Sequence, residues 1–453
     1  MKKLSLKNRP YSSIILFACI FVFAGLGTKF LFFSHAAASC NLNATTSNFS
    51  SQVSAAIAGQ TICLASGSYG TWTGTSKAIT LTPASGASAS MDFTFGSGDT
   101  GFTVDGSAGG GSMTSGGGEF DTGASNITLK NITFNDSLTF NTVAASANIL
   151  LDSDHWNGQG STFNADSGCT TPARIHVFGS AQTGLTVSNS TFIDPPAGLS
   201  NAEDGIQTGS GITVKNSIFE NILDNGGACH QDAIQGVGAT GMHIIGNLFI
   251  NDEDGFADFD VATSDTATDN ACMSITRPAC ITLYADKDSD VEHNTAGPGM
   301  PDVLELNIKS GQRNGSGTIV KNNVGGIAGS DYTLGADANN LFSGATSPNI
   351  NGTPTFVGGA SPTTWANFAL TATSAGHLAA TDGADVGIRT SGGSSGGTGV
   401  TGDLNGDGHV NIFDLSIFLS HWQQTGASLP EDFNNDGTVN IFDLSILLSH
   451  YGT

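Results

Sequence analysis

Polar and apolar positions alternate along much of the chain in short runs that recur with nearly the same spelling. Ile127-Thr-Leu-Lys-Asn131-Ile-Thr-Phe134, Leu185-Thr-Val-Ser-Asn189-Ser-Thr-Phe192 and Ile212-Thr-Val-Lys-Asn216-Ser-Ile-Phe219 share one pattern. His243-Ile-Ile-Gly-Asn247-Leu-Phe-Ile250 joins them, and Thr318-Ile-Val-Lys-Asn322 follows more loosely. Alternation at period 2 predicts strands with one face inward. Asn then turns the chain, because it tolerates the left-handed conformation and hydrogen-bonds locally. The five Asn are separated by 58, 27, 31 and 75 residues, so one to three coils lie between matches. Asn148-Ile-Leu-Leu-Asp-Ser fits a degenerate coil in the first gap. Coils of roughly two to three dozen residues that stack on copies of themselves form a β-solenoid. A β-sandwich is the alternative, but its strands do not repeat at one coil length. A single short amphipathic helix is expected, at Gln52–Ala58.

The alternating body runs from about residue 39 to 390 and ends in a Gly/Ser linker, 391–400. Beyond it the period changes. Asp403-Leu-Asn405-Gly-Asp407-Gly-His409-Val-Asn411-Ile-Phe-Asp414 recurs 29 positions later as Asp432-Phe-Asn434-Asn-Asp436-Gly-Thr438-Val-Asn440-Ile-Phe-Asp443. Each run puts oxygen-bearing side chains at loop positions 1, 3, 5, 9 and 12 and Gly at 6. Hard oxygens around a sharp glycine turn are what a Ca²⁺ loop requires, and position 7 (His409, Thr438) supplies a backbone carbonyl. An apolar helix follows each loop.

The body resembles the right-handed parallel β-helix of the pectate-lyase superfamily, in which an Asn ladder lines one turn and aliphatic stacks fill the core. Val53 to Tyr69 resembles that superfamily's cap helix and first strand. The C-terminal duplication, 401–453, resembles a type I dockerin, a small all-α module that binds calcium and docks secreted, mostly polysaccharide-degrading enzymes onto cohesin modules. The resemblance implies two Ca²⁺ ions. Asp403, Asn405, Asp407, His409, Asn411 and Asp414 would hold one; Asp432, Asn434, Asp436, Thr438, Asn440 and Asp443 would hold the other. This chain departs from the family at loop positions 10 and 11. Both copies carry Ile-Phe (Ile412-Phe413, Ile441-Phe442) where small or polar residues usually read the cohesin. A calcium-stapled cap without a partner is the alternative.

Charge and cysteines narrow the setting. Lys2, Lys3, Lys7 and Arg9 precede the apolar run Ile14 to Leu26, and Ala36-Ala37-Ala38 follows. That layout predicts a secretory signal over 1–38, cut after Ala38; an uncleaved anchor is the alternative, since apolar residues resume at Phe30–Phe33. The expected destination is extracellular, free or at the cell surface. The signal holds five of the fifteen Lys/Arg and none of the 39 acids, which leaves ten against 39, a net of −29. Such a chain excludes nucleic-acid binding. Six cysteines remain after Cys19, an even number that fits disulfides; Cys40–Cys63 and Cys272–Cys280 are the nearest pairs, leaving Cys169–Cys229.

One further repeat carries candidate chemistry: Glu203-Asp204-Gly-Ile-Gln207, His230-Gln231-Asp232-Ala-Ile-Gln235 and Glu253-Asp254-Gly-Phe-Ala257. On coils ~4.8 Å apart, Asp204, Asp232 and Asp254 would stand about 5 and 10 Å from one another. Both separations approach those of glycosidase carboxylate pairs. Asp204, Asp232 and Asp254 are therefore candidate acids and bases, with His230 orienting substrate or acting as base. Gln207 and Gln235 are candidate substrate contacts. Stacked Asp residues would equally suit turn-making or one further Ca²⁺ in the body. A lyase reading uses the scarce cations instead: Lys287, Lys309 and Arg313, the last two on one loop. Trp72, Trp156 and Trp365 are available to sugar rings or to the core. Clustered carboxylates and few cations favour a hydrolase acting on O-glycosidic bonds over a uronate lyase, with a non-catalytic glycan-binding or surface protein as the third reading.

Overall fold

The structure is a computed structural model. It describes residues 39–389 except 142, 145–146, 158–172, 180–182, 199–203, 224–230, 278, 310 and 330–331. In the C-terminal module it describes 402, 404, 410, 415, 418–419, 422–424, 433 and 438–451. The expected signal, its cleavage point, the linker, Cys169–Cys229, Glu203 and His230 lie outside the described residues.

The body is a parallel β-helix. A sheet of thirteen strands runs from Leu42–Ala44 to Ala336–Ala338. A second sheet of nineteen strands holds two interleaved ladders, and the neighbours within both sheets pair in parallel. One coil shows the unit. Strand Ile127–Lys130 turns at Asn131 into Ile132–Phe134; Leu138–Asn141 follows, and the next coil begins at Ile149. Every second residue points inward, so Leu129, Leu151, Val187, Val214 and Ile244 are stacked and fully buried. A second inward stack is aromatic: Phe134, Trp156, Phe192, Phe219 and Phe249, with ring centres 4.6–5.3 Å apart. Trp156 is therefore core. Trp72 is buried among Phe49, Phe95 and Phe102, and the Trp365 indole donates to the Asp269 carbonyl. Trp72 and Trp156 thus offer no open face for a sugar, and Trp365 is half-buried.

Two rows of polar residues hold one turn. In the first, Asn131, Ser153, Asn189, Asn216, Gly246, Asp269, His293, Asn322 and Asn339 take φ between 51 and 67°. Asn dominates this row because its short amide tolerates that region. From Ser153 to Asn339, the residue after each forms the buried ladder, which Asn349 extends by one rung. Asp154, Ser190, Ser217, Asn247, Asn270, Asn294, Asn323, Asn340 and Asn349 each accept, through a side-chain oxygen, a backbone N–H of the preceding coil at 2.8–3.1 Å. Asn247 thus belongs to the second row, one residue from where the sequence pattern aligns it. His243 pairs Thr213, which sets Gly246 opposite Asn216 and Phe249 opposite Phe219. Gly supplies the left-handed turn there without help from Asn.

The predicted helix forms at Phe49–Ala55, three residues early. Asn48 begins it, accepting the Thr45 N–H, and the Lys77 ammonium takes the carbonyls of Val53, Ser54 and Ala56 at its end. At the other end, residues 377–389 return along the left-handed row. Asn339 donates to Ala379, Asn322 and Thr381 exchange hydrogen bonds, and Arg389 pairs with Asp269. Cys40–Cys63 and Cys272–Cys280 are bonded as expected.

Among the described C-terminal residues, Val410, Phe418, Val439 and Leu447 make a separate core. Helix Ile441–Ser449 is capped reciprocally: Asn440 accepts the Phe442 N–H, and Asp443 accepts the Asn440 N–H. No helix among the described residues is long and apolar enough to cross a membrane.

Candidate functional site

The repeat around Asp204 falls on consecutive coils. Ile206–Thr208 pairs with Asp232–Val237, matching Gln207 to Gln235, and Asp232 lies opposite Asp254. The carboxylates are inward of the surface, with Asp204, Asp232 and Asp254 at most 1% exposed. Asp204 accepts the Asp232 N–H at 2.8 Å with one oxygen and the Gln207 amide at 3.0 Å with the other. Gln207 also donates to Gln235 at 2.7 Å, and Gln235 donates to Asp232 at 2.9 Å. Two of the three Asp are thus engaged in tying coil to coil through their own Gln.

The third differs because Ala257 stands where Gln would be. Asp254 accepts instead from the Thr282 hydroxyl at 3.3 Å and meets the Arg277 guanidinium at 3.4 Å. Burial, reinforced by the neighbouring Asp232 carboxylate, lifts Asp254 to about 8, so it carries a proton at neutral pH. Arg277 also reaches Glu253 at 3.5 Å. Burial works against its charge, but Asp254, Glu253 and Asp232 outweigh that and hold its pKa above the ordinary value.

Outward residues of the same ladder form two rows. Glu119, Thr139, His176, Gln207, Gln235, Ala257, Thr282 and Glu305 lie in register along the first. His176 is half-buried, stacks on Phe178 with ring centres 4.1 Å apart, and is kept neutral by burial. In the second row Phe178 and Val237 are exposed, and Phe259 packs against Tyr284. The Lys309 ammonium sits 5.1 and 5.5 Å from the ring centres of Phe259 and Tyr284 and 2.7 Å from Asp260. Burial raises the Tyr284 phenol and the Glu305 charge adds to it; Arg277 and Lys309 pull the other way without reversing it. Arg313 reaches back to the carbonyls of Ala285 and Ala262 and the Thr263 hydroxyl, tying turns together. A separate cavity of about 490 Å³, lined by residues such as Met300, Phe342, Pro354 and Phe356, contains no titratable side chain.

Sequence reasoning placed Gln207, Gln235 and Lys309 on this face and missed His176, Arg277, Tyr284 and Glu305. A signal for three of them was present. Gly205-Ile-Gln207, Ala233-Ile-Gln235, Cys280-Ile-Thr282 and Val303-Leu-Glu305 repeat one spelling (small or apolar, aliphatic, outward polar), and Arg174-Ile-His176 continues it upstream. Tyr284 lies two positions beyond Thr282 in that alternation. Arg277 sits in a turn and has no such signal.

Of the twelve expected calcium ligands, Thr438, Asn440 and Asp443 are among the described residues; Asp403, Asn405, Asp407, His409, Asn411, Asp414, Asp432, Asn434 and Asp436 lie outside them. Asp443 is a fully buried carboxylate at the helix start, and its all-oxygen companions in sequence suit Ca²⁺. Among the described residues, no group of three or more acidic, His or Cys side chains is placed to hold a metal ion.

Residues 401–450 match the Dockerin type I domain. No curated protein matches the chain. Among solved structures, it is similar to a PL6 family polysaccharide lyase from Pseudopedobacter saltans, at 14% identity and TM-score 0.44 over 64% of this chain and 77% of that one. It is also similar to a pectate lyase (18%, TM-score 0.37, 75% and 90%) and to a surface adhesin of Streptococcus pneumoniae (12%, TM-score 0.32, 61% and 83%). At these scores nothing about this chain's chemistry follows from them.

Proposed function

We propose that this chain is a secreted polysaccharide-degrading protein that holds an anionic glycan along the outward face of the ladder carrying Gln207, Gln235, Thr282 and Glu305. One observation carries the reading. A chain with ten cations against 39 acids beyond residue 38 sets Lys309 5.5 Å from the Tyr284 ring centre and keeps Arg277, Lys309 and Glu305 near enough for their charges to act on the Tyr284 phenol. Cations spent that way suit a uronate carboxylate, and the burial of Asp204 and Asp232 removes them from contact with substrate. β-Elimination therefore fits better than the hydrolysis that the carboxylate stack favours on sequence alone. Glu305 takes the proton α to the uronate carboxylate. The electron pair forms the new C=C bond, the glycosidic C–O bond breaks, and the protonated Tyr284 returns a proton to the leaving oxygen. Arg277 and Lys309 neutralise the charge that builds on the carboxylate. The hydrolysis reading loses Asp254 on the same ground, because that carboxyl is as buried as the other two.

The C-terminal module, on this proposal, binds Ca²⁺ through its two loops and docks the enzyme to a cohesin. When bound, the ion supplies loop order; Asp443 and Asn440 then present the Ile441-Phe442 pair, which is exposed at the helix start. Incubation with pectic, alginate, xylan and glycosaminoglycan substrates tests the activity. Ultraviolet absorbance of unsaturated uronides with new reducing ends supports elimination, reducing ends alone support hydrolysis, and silence on all substrates sinks both.

A further inference from the structure

We infer that the Cys272–Cys280 disulfide is the device that positions Arg277, and so sets the affinity of the face for an anionic glycan; this rests on the functional reading above. Cys272 lies in strand Ala271–Met273, and Cys280 immediately precedes Ile281–Tyr284, the strand that carries Thr282 and Tyr284. The bond joins these two ladders across one turn, with Cα atoms 5.7 Å apart and the cysteines eight positions apart in sequence. Arg277 stands within the loop so closed.

The loop is only partly fixed otherwise. Ser274, Thr276 and Arg277 are exposed, whereas Ile275 and Ala279 are buried. Two backbone bonds hold it to the coil before, Thr276 N–H to Asp252 and Arg277 N–H to Glu253, both at 3.0 Å. The contacts to Glu253 and to the protonated Asp254, at 3.5 and 3.4 Å, are made by a guanidinium that is 41% exposed. Pairs so open to water hold a long side chain weakly. Cys272 and Cys280 are themselves fully buried, their backbone carbonyls accepting Gly297 N–H at 2.8 Å and Phe256 N–H at 3.1 Å. The disulfide thus ties an exposed loop to two rigid strands. A cation held in place before binding loses less freedom on meeting a carboxylate, which raises affinity without a new contact.

The test titrates the full chain calorimetrically with an oligogalacturonate and with a neutral xylo-oligosaccharide of equal length. Compared are wild type, Cys272→Ala/Cys280→Ala, Arg277→Gln, the triple variant, and a form with two glycines inserted between Thr276 and Arg277, which keeps the bond while displacing the side chain. Anionic binding should weaken about tenfold in the double-cysteine and insertion forms, with the neutral sugar unaffected, and the triple variant should be no weaker than Arg277→Gln alone. Wild-type affinity in the insertion form, or losses that add in the triple variant, overturns the inference. Wild-type affinity in Arg277→Gln overturns the functional reading instead. If the double-cysteine form fails to fold, the insertion form alone decides.

Discussion

Asp154 occupies a rung of the buried ladder that Asn fills further along, and the difference has a cost. One oxygen accepts the Ile132 N–H; the other has no hydrogen-bond partner among the described residues. Burial pushes its carboxyl well above the usual range. A folded-state pKa above the unfolded one means that the folded state holds the proton more tightly. Its contribution is intact below the unfolded value and is lost as pH rises through the folded one. Asp154→Asn should therefore stabilise the body at pH 8 by about 1 kcal/mol, as a donor replaces an unmatched oxygen, and much less at pH 4. Thermal melts at the two values check this; an equal gain at both would refute it. In the site, Tyr284→Phe removes the proton donor but not the ring on which Lys309 rests. Turnover should fall about a hundredfold with KM nearly unchanged. Gln207→Ala, three coils away on the same face, should leave turnover nearly unchanged and act on KM alone.

At the scale of elements, the ladder and the strands depend on each other. Asn294 accepts the Asn270 N–H and donates to the Ala267 carbonyl on one side and to the Asn323 side-chain oxygen on the other, so its loss orphans buried groups on two coils. Asn294→Ala should cost about 3 kcal/mol, seen as a lower urea midpoint with an unchanged slope. The strands were legible because alternation, aromatic spacing and left-handed Asn all report local geometry. The offset at Asn247 was not. Asn131, Asn189, Asn216 and Asn322 are turn residues, whereas Asn247 follows a Gly that has taken over the turn. One letter serves two rows with different physics, and only pairing to the neighbouring coil separates them. The helix drifted for a similar reason: its start depends on Asn48 and its end on a distant Lys77.

At the scale of the molecule, two kinds of order coexist. The body is held by stacked coils and disulfides, the C-terminal module by a small core of Val410, Phe418, Val439 and Leu447 beside its acidic loops. Chelation should abolish a low-temperature calorimetric transition belonging to that module and leave the body's transition in place. A single transition that shifts as a whole would contradict the separation. Screening gives a second expectation. The Debye length falls from ~30 Å at 0.01 M to ~3 Å at 1 M salt. Anionic-glycan binding should weaken across that range while cohesin capture through the uncharged Ile-Phe pair changes little.

The sequence by itself determined the coil, the calcium-loop spacing, and the placing of Asp204, Asp232 and Asp254 on neighbouring coils. Each of these is a matter of short-range pattern or repeat length. Tertiary structure alone decided which polar groups face water. It turned Asp204 and Asp232 inward onto Gln207, Gln235 and the next coil's N–H, because a buried carboxylate needs donors and its own repeat supplies them. It also set Lys309 beside the Tyr284 ring and brought Arg277, from a disulfide-closed turn, near enough for its charge to act on that phenol. No periodicity encodes those two, since turns lie outside the alternation that makes the strands readable.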